Sequence, residues 1–275
     1  MTDDEASEVN RSHWDALAAV HGQDAYYDSD GLAAGRVDLG TLEAAAVAEA
    51  IGDVDGRDVL HLQCHIGVDA IVLARRGARV TGVDFSDASL QKAGALSARC
   101  GVEVAWVQAD VTALPAALEA RFDLVYATVG VLSWIADVDA WMRSAAFALR
   151  PDGRLVLVDI HPLYVMVDSI DPLRLAFPYA FDGPRRFDEP GSYADPDADV
   201  EATATVEHGH SLGEIVTAAI AAGLRIEALH EHLEADVDPR GQMLTAGPDG
   251  RHRLVVDGER LPILYTLIAA RPPSR

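Results

Sequence analysis

Short apolar runs recur along the middle of the chain, separated by stretches whose apolar positions return every three or four residues. The runs predict strands over 57–62, 78–84, 102–108, 122–127 and 153–160, the first of them buried. The stretches predict helices over 67–76, 87–100 and 137–149, the second capped by Ser86 or Asp87. Strands alternating with helices imply a mainly parallel sheet, with the strand C-termini along one rim. Upstream, Trp14, Leu17, Ala18 and His21 fall at helical spacing within 11–22, and an alanine-rich helix covers 40–52. Residues 1–10 read as frayed. Downstream, a helix is expected over 211–222 and closing strands over 224–232 and 261–270. The turn signals Asp249-Gly250 and Asp257-Gly258 predict a hairpin within 236–260.

The pattern breaks after His161-Pro162. Residues 162–200 are rich in proline, aspartate, glycine and aromatics, and are too long for an ordinary connection. They predict a cap over the rim. The chain therefore divides into an N-terminal helical lid segment (1–52), an α/β core (53–161), the cap (162–200) and a C-terminal part of the core (201–275).

Composition narrows the partners. The 275 residues are 49% hydrophobic, enough for a sizeable core. Against 22 basic residues stand 44 acidic ones, a net charge of −22. Such a surface repels nucleic acid and anionic membranes but leaves a small ligand's local site undetermined. Lys92 is the sole lysine in an alanine- and arginine-rich chain, as GC-rich bacterial coding produces. Cys64 and Cys100 make no disulfide framework, residues 1–10 lack an apolar signal core, and no apolar run reaches membrane-spanning length. The expectation is a soluble cytoplasmic protein.

Candidate chemistry centres on Val59–Gly67 and Ala78–Ser86. The first reads as strand, tight turn and helix start. The second is a strand ending at Asp84, 17 residues beyond Gly67. An acid there can hold ribose hydroxyls in an open α/β sheet, or simply cap a helix or face solvent. A dinucleotide site needs a glycine-rich turn so that backbone amides approach a pyrophosphate. Gln63-Cys64-His65-Ile66-Gly67 has one glycine, which disfavours a pyrophosphate and leaves S-adenosylmethionine as the better match. Cys64 lacks an obvious base and reads as a packing residue. His208-x-His210 and His230-x-His232 invite a metal reading, but no third ligand stands out, and no metal is expected.

The segment His61 to Asp69, His-Leu-Gln-Cys-His-Ile-Gly-Val-Asp, resembles the first motif of class I S-adenosylmethionine-dependent methyltransferases, in the form of a bacterial subgroup. The segment Asn10 to Asp28, with Trp14-Asp15, His21 and Tyr27-Asp28, is similar to that subgroup too. The usual motif has an acid at the position of His61 and glycines at those of Gln63 and His65; only Gly67 matches. The resemblance implies a Rossmann-like α/β fold, with a seven-stranded, mostly parallel sheet whose last strand is antiparallel, plus the cap. It implies that Gly67 and the backbone of Gln63, Cys64 and His65 approach the methionine part of S-adenosyl-L-methionine. Asp84 would take the ribose, Phe85 would flank the adenine, and Asp110 with Val111 would meet its edge. Thr128 and Val129 would lie beside the sulfonium, and Trp14 and Tyr27 would close over the cofactor from the N-terminal segment.

The expected activity is methyl transfer to a small-molecule acceptor, a specialised metabolite, on nitrogen, oxygen or carbon, leaving S-adenosyl-L-homocysteine. A nicotinamide-dependent oxidoreductase and a non-catalytic cofactor-binding protein are the competing readings. His161, directly after the fifth strand, is expected either as a general base or as a tether for the cap. His21 is its reserve. Tyr164, Tyr193, Glu207, His208 and His210 are expected on the acceptor side, and Trp134 at its border.

Overall fold

The computed structural model describes residues 2–24, 26–241 and 243–273; Ser274 and Arg275, included in the C-terminal part above, lie outside the described residues. The chain begins with helix α1 (Asp3–Val20). Thr2 and Glu5 form a reciprocal capping box, and Asp3, Asp4 and Glu5 complement the positive end of the helix dipole. The expectation of a frayed 1–10 is therefore corrected: the acidic run is a helix start. At the other end, the Nζ of Lys92 donates to the carbonyls of Ala18, at 2.8 Å, and His21. The sole lysine thus closes this helix.

α2 (Ser29–Ala33) and α3 (Thr41–Ile51) lead into the alternating core. It runs β1 (Asp58–Leu62), α4 (Val68–Arg75), β2 (Arg79–Asp84), α5 (Asp87–Cys100), β3 (Val104–Gln108), β4 (Phe122–Ala127), α6 (Val138–Ala148) and β5 (Leu149–Ile160). The Ser86 side chain accepts from the Ser89 amide and caps α5. Beyond β5 come α7 (Pro162–Val165), β6 (Val167–Ile170), β7 (Leu173–Leu175), β8 (Arg185–Asp188) and β9 (Ala204–Glu207). The chain closes with α8 (Leu212–Ala221), β10 (Arg225–His232), β11 (Leu254–Val256), β12 (Glu259–Leu261) and β13 (Leu264–Ala270).

One seven-stranded sheet holds the molecule together, in the order β3-β2-β1-β4-β5-β13-β10. β13 runs antiparallel to both its neighbours, and the other pairings are parallel. Along β5, Leu155 and Leu157 enter the core on one face, and Val156 and Val158 the core on the other. A sheet buried on both faces needs such continuous apolar runs.

The inserted segment forms two hairpins, β6–β7 and β8–β9. The second extends past residue 200, because β9 supplies the partner of β8. Asn10 of α1 donates its amide to the Val206 carbonyl and accepts from the Val206 amide, each at 2.8 Å, so α1 docks on β9 as a further strand would. A third hairpin, β11–β12, joins Tyr164, Val167, Leu244 and Ile263 in a small separate core. Among the described residues, no helix is long and apolar enough to cross a membrane.

Candidate active site

The turn after β1 keeps a glycine-like backbone without the glycines. Gln63 has φ +52°, His65 φ +47° and Gly67 φ +77°. A non-glycine residue in this left-handed region costs about 1–2 kcal/mol. Side-chain bonds that glycine cannot make offset that cost. Gln63 donates its Nε2 to the Val131 carbonyl at 2.8 Å and accepts from the Trp141 indole at 2.9 Å. His65 places Nδ1 3.0 Å from the Ser89 hydroxyl and Nε2 2.7 Å from Nδ1 of His21. The Nε2 of His21 in turn lies 2.5 Å from the Ser192 hydroxyl in the inserted segment. One chain of hydrogen bonds thus joins α5, the turn, the N-terminal segment and the cap.

Gly67 answers to packing. A Cβ there would sit 2.3 Å from the Trp106 ring and 3.0 Å from Ala93. Gly82 is under the same ring, its built Cβ 2.4 Å away, with the Cys64 sulfur at 3.0 Å. Burial pushes the Cys64 thiol well up, which fits a packing residue and not a nucleophile.

Asp84 ends β2 and is buried. Its carboxylate accepts from the amides of His65, at 2.8 Å, and Ser86, at 3.0 Å. Burial outweighs these bonds and pushes its pKa up to about 6. Across the rim, buried Asp159 accepts from the amides of Gly130, Leu132 and Ile160 and so fixes the loop after β4.

Above the rim lies one cavity of about 1110 Å³. Trp14, Tyr27, Gln63, Cys64, His65 and Gly67 line it, as do Asp84, Phe85, Asp110, Val111, Thr128 and Val129. Asp110 is partly engaged, since Oδ1 accepts from the amide and hydroxyl of its neighbour Thr112. The Trp14 ring meets His65 edge-on at 4.9 Å and Trp134 at 5.3 Å. The Tyr27 hydroxyl bonds that of Tyr193, which also lines the cavity. Tyr193, Glu207, His208 and Trp134 lie on the inserted-segment side, with Phe177, Phe181 and Phe187.

Four expected site residues point elsewhere. His161 does not line the cavity: its Nδ1 accepts from the Leu163 amide and caps α7, and its Nε2 lies 2.9 Å from Glu231. Both ring nitrogens are engaged, the arrangement of a tether. Tyr164 is fully buried in the small core, donating to Asp238 at 2.8 Å. His210 bonds the Ile135 carbonyl at 2.7 Å and stays outside the lining. His21 sits behind the lining as the link between His65 and Ser192. Among the described residues, no cluster of three or more His, Cys, Asp or Glu side chains is placed to hold a metal.

The cavity also brings in residues that sequence reasoning passed over: Glu43, Asp69, Glu189 and Arg240. Asp69 was within the quoted motif, two residues into the helix after Gly67, which was its only signal. Glu43 lies on a helix read as plain alanine-rich packing. Burial pushes Glu43 and Glu207 each up to about 7, Glu43 with help from Asp69 and Asp236, Glu207 from Glu189.

The sheet order and the single antiparallel strand define a Rossmann-like α/β fold with a cavity at its rim. Residues 59–153 match the family described as a methyltransferase domain. The chain is 34% identical over 131 residues to a ubiquinone biosynthesis O-methyltransferase of Alkalilimnicola ehrlichii, covering 48% of this chain and 53% of that protein. It is 30% identical over 115 residues to the Escherichia coli O127:H6 protein of that name, covering 42% and 48%. The chain thus spans about half the length of the curated relatives it matches. Among solved structures, an S-adenosylmethionine-dependent methyltransferase from Mesorhizobium loti superposes with a TM-score of 0.59 at 24% identity, covering 83% of this chain and 97% of that one. The 1,6-didemethyltoxoflavin-N1-methyltransferase of Burkholderia thailandensis gives 0.58 at 18% identity over 99% and 91%.

Proposed function

We propose that the protein transfers the methyl group of S-adenosyl-L-methionine to a small-molecule acceptor, a specialised metabolite. The observation that carries this reading is Asp84, its carboxylate aligned by two backbone amides at the edge of a cavity of about 1110 Å³. Pockets for a single drug-sized ligand run to about 1,000 Å³, so there is room for the cofactor and a small acceptor. The chemistry of the lining fits the cofactor: an acid for a ribose, aromatic faces at Trp14 and Phe85, and acidic groups opposite. The turn's single glycine suits a cofactor without a pyrophosphate, which disfavours a nicotinamide enzyme.

When bound, S-adenosylmethionine supplies an electrophilic methyl on a sulfonium. The chain's own residues bind, orient and exclude water. Asp84 accepts from ribose hydroxyls, and Phe85, Asp110 and Val111 border the adenine. Thr128 and Val129 border the methionine side. Trp14 with the Tyr27–Tyr193 pair closes the cavity toward solvent. Phe177, Phe181 and Phe187 give the acceptor side apolar walls, and Glu207 and His208 are the groups there that can take a proton. The names of the relatives above, methyltransferases of a ubiquinone pathway and of a toxoflavin precursor, support a small acceptor. The net charge of −22 argues against nucleic acid.

The test has two arms. Calorimetry with S-adenosylhomocysteine measures cofactor binding. Incubation with methyl-labelled cofactor compares a small-molecule extract with bulk RNA and DNA. Binding with label only in small molecules is the expected result. No binding, or labelled nucleic acid, defeats the reading; binding with no labelled product from any fraction favours a non-catalytic binding protein.

A further inference from the structure

We propose that Asp69 and Glu43 form the subsite for the ammonium group of the cofactor's methionine part, doing from α4 and α3 what no acid on β1 does here. The proposal rests on the cofactor reading above.

The topology sets the direction. β1 lies between β2 and β4. Asp84 ends β2, on one side of the turn at 63–67. Asp69 is fastened to β4 on the other side: its Oδ2 accepts from the Tyr126 hydroxyl at 2.8 Å and the Thr128 hydroxyl at 3.1 Å. A ligand whose ribose rests on Asp84 and which crosses the turn reaches Asp69. In S-adenosylmethionine that far end is a zwitterionic amino acid.

The chemistry there lacks a cation. At His61 the resembled motif has an acid, and this chain has an imidazole. It lines the cavity, is only 4% exposed and leaves its buried Nδ1 without a partner. Burial holds its pKa near 4, so the ring is neutral and adds no positive charge. Glu43, on the first turn of α3, lines the same cavity near enough to feel the Asp69 charge, and is folded so closely over Gly40 that a Cβ there would lie 2.2 Å from its carboxylate. Neither Glu43 nor Asp69 forms an ion pair among the described residues. Arg240, also in the lining, donates its Nη1 to the carbonyls of Tyr164 and Val167. Two carboxylates, an unpartnered neutral imidazole and no paired cation make a subsite complementary to an ammonium group with hydrogens to donate.

The experiment compares two ligands by calorimetry. S-adenosylhomocysteine carries the amino acid, and 5′-methylthioadenosine lacks it. The proteins are wild type, Asp69→Asn and Glu43→Gln, each checked for native circular dichroism. The amide oxygen in Asp69→Asn can still accept from Tyr126, and Glu43→Gln leaves that contact untouched. Expected is a loss of about 10- to 100-fold in S-adenosylhomocysteine affinity in each variant, the size of one charge-assisted hydrogen bond, with methylthioadenosine binding unchanged. Unchanged S-adenosylhomocysteine affinity in both variants overturns the proposal, and the carboxylates then serve the acceptor. An equal loss for both ligands overturns it as well, because the turn itself is damaged. If wild type binds neither ligand, the cofactor reading falls first.

Discussion

The Nδ1 of His21 lies 2.7 Å from the Nε2 of His65, so the N-terminal segment and the turn after β1 share one proton between two imidazoles. Protonating both rings would set two N–H groups against each other. Burial, helped by the charges of Lys92 and His13 and opposed by Asp24, pulls His21 down to about 4. A histidine whose folded pKa lies below its unfolded value of about 6.5 adds stability above 6.5 that is lost as the pH falls toward 4. Wild type should therefore lose ~2–3 kcal/mol more than His21→Gln over that window, read from urea unfolding at a series of pH values. Parallel pH profiles for the two proteins would remove His21 from the link.

Asp84 serves the turn as well as the cavity. Asp84→Ala would strand the amides of His65 and Ser86, each at about 1–3 kcal/mol. The two carboxylate oxygens accept from different amides, so Asp84→Asn keeps one of those bonds, loses the other and removes the charge. It should fold, and bind S-adenosylhomocysteine at least ~10-fold more weakly by calorimetry. Wild-type affinity in the folded variant would detach Asp84 from the ribose.

Glu207 carries a half-buried carboxyl pushed up to about 7, above its usual value of 4.5. For a raised acid the protonated form suits the fold, so stability falls as the pH rises from about 4.5 to 7. Glu207→Gln should melt several degrees higher than wild type at pH 8, and the gap should close by pH 4. A gap that persists at pH 4 would mean that shape, not charge, sets the effect.

His161→Ala should melt lower, by the ~1–2 kcal/mol of a lost helix cap and its Glu231 contact, with S-adenosylhomocysteine affinity unchanged. His161→Asn, which can still cap α7, should recover part of that stability. A folded His161→Asn protein with activity lowered ~100-fold would instead return His161 to catalysis.

The alternation of β1 to β5 with their helices was legible because buried parallel strands must be continuously apolar, and Ser86 because an N-cap must supply an oxygen. The acidic start of α1 misled: Thr2 and Glu5 form a capping box, but charge without apolar residues looks like a fraying end. Direction was the larger gap. His161 follows a strand that ends at the rim, yet capping α7 turns its ring to Glu231, a partner 70 residues away. Tyr164, among aromatics of similar appearance, finds Asp238 and the small core. Glu43 and Asp69 line one cavity only because α3, packed on β5 and β13, and α4 both border the rim, which spacing along the chain does not encode.

The Trp106 ring over Gly67 and Gly82 ties three positions into one evolutionary unit. Glycine at 67 matches a ligand-binding motif, but here the crowding comes from an indole on β3. Gly67→Ala or Gly82→Ala alone must displace that ring, at about 1–3 kcal/mol, and position 67 carries left-handed strain besides. With Trp106→Ala the penalty at position 82 should shrink, so the double variant should melt higher than the sum of the single losses allows. Drift at any of these sites then has an order: the tryptophan must shrink before a glycine can gain a side chain. A library that varies the two glycines one at a time will find each change costly, while pairing a change at position 82 with a smaller residue at 106 opens a route.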